Sequence, residues 1–99
     1  MYFFVLLAHP KPSHRDYGVI DGAYVACWVN EATEELAEAV ARQAIEELDW
    51  DVEERDQGYQ IGRDDFELGS KSLQRFDQAL LDDCVLDFNR WRVGAPDDD

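Results

Sequence analysis

The stretch NEATEELAEAVARQAIEELDW, residues 30–50, decides the fold class. Leu36, Ala37, Val40, Ala41, Ala44, Ile45 and Leu48 recur as neighbouring pairs every four positions, which is one face of an amphipathic helix. Glu34, Glu35, Glu38, Arg42, Glu46 and Glu47 fall on the other face. Asn30 is suited to the N-cap, with Glu31, Glu34 and Glu35 near the positive end of the helix dipole. Alanines at 37, 41 and 44 let the helix axis come close to whatever lies beneath it. Such a helix needs a flat apolar partner, and the segments around it read as strands.

Upstream, residues 23–29 (AYVACWV) put Ala23, Val25, Cys27 and Val29 on one side and Tyr24, Ala26 and Trp28 on the other. Both sides are apolar, so the strand is expected to be central and covered twice. Residues 2–8 (YFFVLLA) read as a further buried strand that ends at His9-Pro10-Lys11-Pro12. Downstream, residues 51–56 read as a less buried strand. Gln57-Gly58 offers a loose turn, and residues 59–61 a short strand. Ser70 or Ser72 can cap a second helix running to about Asp83, with Leu73, Phe76 and Leu80 on its apolar face. Residues 84–91 alternate as a strand, with helical continuation through Phe88 as the competing reading.

The resulting order is an N-terminal strand followed by βαββαβ. The expectation is an α+β, ferredoxin-like sandwich with one additional strand, both helices on one face of an antiparallel sheet. Ninety-nine residues fit one domain, taken as 1–94, with 95–99 as an acidic disordered tail. An apolar content of 45% is enough for a core.

Twenty-three acidic residues against nine basic ones give a net charge of −14. That field repels nucleic acid and anionic membrane surfaces. It keeps the chain soluble and leaves cationic ligands, metals and basic protein surfaces as the partners that charge allows. Residues 1–8 lack the basic region and cleavage site of an export signal, so the expected location is the cytoplasm.

Chemistry-bearing patterns are few. His9 and His14, with Asp16, are candidate metal ligands, although their spacing matches no closed site. Ser13, His14 and Asp16 sit too close in sequence to form a hydrolytic triad, and no G-x-S-x-G elbow occurs. The acidic run from Asp49 lacks the glycine and the final glutamate of a calcium loop. Asp64, Asp65 and Glu67 read as a solvated acidic loop. Cys27 and Cys84 lie in apolar or acidic settings that keep a thiol neutral. No catalytic residue and no cofactor is expected.

The aromatic load remains. Tyr24, Trp28, Phe88 and Trp91 all fall on strands. If both helices cover one face, the other is met by a second copy or another protein, with these four residues as the candidate interaction surface, or by the loop 10–22 and the C-terminal tail folding over it. The expectation is a non-enzymatic interaction or regulatory module that self-associates through an aromatic sheet face. The alternatives are a small-ligand or metal-binding protein or minor enzyme with a pocket by the His9/His14 loop, and an acidic inhibitor of a basic protein.

Overall fold

The structure is a computed structural model that describes residues 1–93. It is an α+β fold with one four-stranded antiparallel sheet and two α-helices. Strands β1 (Tyr2–Pro10) and β2 (Ile20–Val29) form the central hairpin. Helix α1 (Glu34–Glu46) leads to β3 (Trp50–Gln60), which pairs with β1. A 3-10 turn (Arg63–Asp65) and helix α2 (Lys71–Asp82) lead to β4 (Cys84–Arg92), which pairs with β2. The sheet order is β3-β1-β2-β4. The expected acidic tail, 95–99, lies outside the described residues.

Several local expectations change. The first helix is shorter at both ends than residues 30–50. Thr33, not Asn30, is its N-cap, with Oγ1 accepting from the Leu36 amide at 3.2 Å. Asn30 instead donates its backbone N–H to the Asp83 carbonyl at 2.8 Å. After the helix, Asp49 takes a left-handed backbone (φ 68°), and this reversal releases Trp50 into β3. The expected turn at Gln57-Gly58 is absent, and residues 50–60 form one strand. Gly58 provides clearance rather than a turn. The Arg55 side chain lies over it and donates to its carbonyl at 3.1 Å, where a Cβ would collide with the guanidinium. Residues 84–92 are strand, because Asp83 at φ 70° ends α2 in the left-handed region.

The two helices lie on opposite faces, and the expected one-faced βαββαβ arrangement is corrected accordingly. The element order is ββαβαβ. Because β2 and β3 flank β1, the connection through α1 crosses one face. The chain must then travel from the β3 edge to the β4 edge, and α2 makes that crossing beneath the other face. On the inner face Phe4, Leu6, Ala8, Ala23, Val25, Cys27 and Val29 meet Ala37, Ala41 and Ile45 of α1. On the outer face Phe3, Trp28 and Val85 meet Leu73, Phe76 and Ala79 of α2. The apolar character of both sides of β2 is met by one helix on each side.

Small residues at the hairpin centre shape the inner core. Ala8 and Ala23 leave room for Trp50, projecting from the β3 edge, to reach Phe88 of the β4 edge at a ring distance of 5.2 Å. An ion-pair cluster ties α1 to β3. Arg55 contacts Glu34 at 2.7 Å and Glu38 at 2.8 Å, and Arg42 contacts Glu38 at 2.8 Å. Burial alone would raise the Glu38 pKa, but hydrogen bonds and charge from Arg55 and Arg42 outweigh it and hold the carboxyl below its ordinary value.

Two outcomes are expected from these contacts. Trp50, only 1% exposed, should cost about 3–5 kcal/mol when replaced by alanine, whereas Trp28→Phe should cost under about 1 kcal/mol or stabilise. The second expectation arises because the buried Trp28 Nε1–H has no acceptor among the described residues. Denaturant unfolding of both variants checks the contrast. Because the folded Glu38 pKa is depressed, its stabilisation is fully present above the unfolded glutamate pKa and is lost as pH falls through the folded value. Urea titrations of wild type and Glu38→Gln should therefore differ most at neutral pH and converge at the acid end.

Candidate functional site

Helix α2 has 12 residues, a length of about 18 Å, whereas the strands it crosses extend about 30 Å. It covers one half of the outer face. The uncovered half carries Val5 and Leu7 of β1, Tyr24 of β2 and Trp91 of β4. Tyr24 is 43% exposed. Its ring lies 5.4 Å from that of Trp91. Gly22 makes this pair possible, because a Cβ there would sit 2.6 Å from the Trp91 ring and 3.1 Å from the Ala8 carbonyl. The Trp91 ring thus packs against the backbone of β2 at Gly22.

Beside Tyr24 the short side chain of Ala26 leaves a depression of about 410 Å³, lined also by Val5, Asp87 and Asn89. The rim is acidic toward β3. Glu54 stands opposite Leu7, and Asp51 opposite His9. His9 lies between two carboxylates, with Nδ1 3.1 Å from Glu53 and Nε2 3.8 Å from Asp51. Toward β4, Asp87 is held by Arg75 of α2 at 3.0 Å. Glu54 has no ion-pair partner among the described residues. The patch is therefore an aromatic and aliphatic floor bordered by negative charge.

Of the four aromatic residues singled out from the sequence, Tyr24 and Trp91 meet in this patch. Trp28, 5% exposed, lies under α2 with its ring 5.0 Å from that of Phe3. Phe88 is on the inner face against Trp50. Val5 and Leu7 were not singled out. Their place on the outer face follows from strand alternation once α2 is known to stop short of them.

The remaining candidates do not form a metal site. His9 faces the outer side, whereas His14 packs edge-on against Trp50 at 5.2 Å on the inner side. The amide of Asp16 donates to His14 Nδ1 at 3.0 Å, and the Asp16 carboxylate lies 3.7 Å from Arg90. No group of three or more His, Cys, Asp or Glu able to hold a metal occurs among the described residues. Asp64 and Asp65 lie at the opposite end of the sheet, near Met1, where Asp65 Oδ2 accepts from the Gly62 amide at 2.7 Å. His14, Arg15, Leu48, Trp50 and Arg90 do line a second depression of about 230 Å³ at the loop corner.

Neither cysteine is an activated nucleophile. Burial, and secondarily the nearby Cys84, push the Cys27 thiol far up, and its Sγ donates to the Val25 carbonyl at 3.4 Å. Burial likewise raises Cys84. No helix among the described residues is long and apolar enough to cross a membrane. Comparisons with protein-family models, with curated proteins and with solved structures found no match to this chain.

Proposed function

We propose that the protein is a non-enzymatic interaction module that docks a basic protein segment on the uncovered half of its outer sheet face. The observation that carries this reading is the combination at one place of Tyr24, Trp91, Val5 and Leu7 with an acidic border at Asp51, Glu53 and Glu54. Exposed aromatic rings supply contact area at low entropic cost and attract cations over their faces. The carboxylates choose the sign of the partner, and a net charge of −14 steers it toward the surface. The depression over Ala26 accepts one protruding side chain. A second copy laid on this face would bring the same net charge of −14 against this one. Charge therefore favours a basic partner over face-to-face self-association. This places the module closest to the acidic-inhibitor alternative.

A suitable probe is an extended peptide that alternates leucine with lysine, compared with its glutamate counterpart. In amide-resolved NMR titrations the lysine peptide should perturb Leu7, Tyr24 and Trp91, and the glutamate peptide should perturb none of them. Tyr24→Ser should weaken binding by about tenfold, as expected for loss of an aromatic anchor. Affinity should fall steeply between about 0.05 and 0.5 M salt. Equal binding of both peptides, or perturbations confined to the α1 face, would overturn the reading.

A further inference from the structure

The two edges of the sheet are protected very differently. The outer edge of β3 is broken by two register irregularities and carries Asp51, Glu53, Glu54 and Asp56. Both features discourage strand addition. The β4 edge has no bulge of its own and carries only three charged residues, of mixed sign: Asp87, Arg90 and Arg92. Its nine residues contain no proline, and the one irregularity in its pairing places the extra residue on β2, between Ile20 and Gly22.

The direction of the free backbone groups follows from two hydrogen bonds. The Asp83 carbonyl accepts from the Asn30 amide, and the Val93 amide donates to the Val19 carbonyl, so residues 83 and 93 turn toward β2. Alternation then turns Cys84, Leu86, Phe88, Arg90 and Arg92 outward. Among the described residues no strand pairs with that edge.

We propose that β4 pairs antiparallel with β4 of a second copy about a two-fold axis at Phe88, making one continuous eight-stranded sheet. Phe88 is the midpoint of β4, so this register overlaps the two strands completely and engages all five outward-facing residues of each copy. It is also self-complementary. Phe88 meets its own equivalent, and Val85 of one copy meets Trp91 of the other, an aromatic and β-branched pair. Asp87 faces Asn89, Leu86 faces Arg90 and Cys84 faces Arg92, and no like charges oppose each other.

Local charge permits the contact. β4 carries Arg90 and Arg92 against Asp87, so this edge is net positive within a chain of net charge −14. A groove of about 340 Å³ between α2 and β4, lined by Gln74, Arg75, Gln78, Val85 and Leu86, lies along the same edge. The half-buried Val85, Leu86 and Phe88 would be sheltered by the added strand. With one such edge per molecule the assembly closes at two copies. The pairing uses the edge of the sheet and stands whether or not the outer face docks a basic partner.

Sedimentation equilibrium of the full chain, combined with amide hydrogen exchange, tests the pairing. The expected result is a monomer–dimer equilibrium without larger species, tightening as added salt screens the net charge. The amides of Leu86, Phe88, Arg90 and Arg92 should gain protection with protein concentration, while those of Val85, Asp87 and Asn89 stay protected throughout. Leu86→Lys places a cation opposite Arg90 twice across the seam and should weaken the dimer at least about tenfold. Arg90→Pro removes an outward-facing amide and the Arg90–Asp16 ion pair but no hydrogen bond to β2, and should do the same if Leu86→Lys fails to fold. A chain that stays monomeric at about 1 mM, where even weak pairing is populated, would overturn the proposal. So would a dimer unaffected by the folded variants, or edge protection that ignores concentration.

Discussion

The structure depends on a hairpin that is apolar on both sides. β1 and β2 occupy the middle of the sheet, and each alternates apolar residues toward two faces rather than one. A hairpin of this kind is unstable in water unless both sides are covered. The chain answers with two crossovers. The first, through α1, crosses the inner face on the way from β2 to β3. The second, through α2, crosses the outer face on the way from β3 to β4. The covers differ in completeness. The inner cover is full, because Trp50 and Phe88 extend the shelter of α1 across Ala8 and Ala23. The outer one is partial, because α2 is shorter than the strands it crosses.

That difference leaves an apolar surface on the uncovered half of the outer face. Where α2 lies, Trp28 and Phe3 are core residues. Where it does not, the same alternation leaves Val5, Leu7, Tyr24 and Trp91 facing outward. The carboxylates of β3 border that surface, and a second copy laid on it would carry the same negative charge. The few cations are distributed unevenly. Arg55 and Arg42 are engaged with α1 carboxylates, Arg63 with Asp77 and Arg75 with Asp87. Arg90, 3.7 Å from Asp16, and Arg92 lie at the end of β4, so that strand carries two cations against the one carboxylate of Asp87. Face and edge therefore suit different contacts.

Much of the fold is legible in the residues, for physical reasons specific to each segment. The 3.6-residue repeat centred on Val40 marks α1, and the two-sided apolar run at 23–29 marks a central strand. Both are patterns in which hydrophobic period and propensity agree. The boundaries are less legible. Asn30 and Thr33 are both good caps, and only the contact between Asn30 and Asp83 decides between them. Gly58 resembles a turn residue, but its absent side chain accommodates Arg55, a contact that no local pattern encodes. The placement of α2 is not legible, because its own stripe of Leu73, Phe76 and Ala79 does not state which face it meets. Of the candidate site, Tyr24 and Trp91 could be picked out as strand aromatics. Their separation from Trp28 and Phe88 required the three-dimensional course of the chain.

The partial outer cover is tested most directly by hydroxyl-radical footprinting of the intact protein, read residue by residue by mass spectrometry. Aromatic rings react in proportion to their access to water. Tyr24 and Trp91 should be labelled, while Trp28 and Trp50 should be as protected as in a fully buried core. Labelling of Trp28 at the rate of Trp91 would show that α2 does not cover the outer face as described. Protection of Tyr24 in the isolated monomer would show that the face is closed and offers no docking surface.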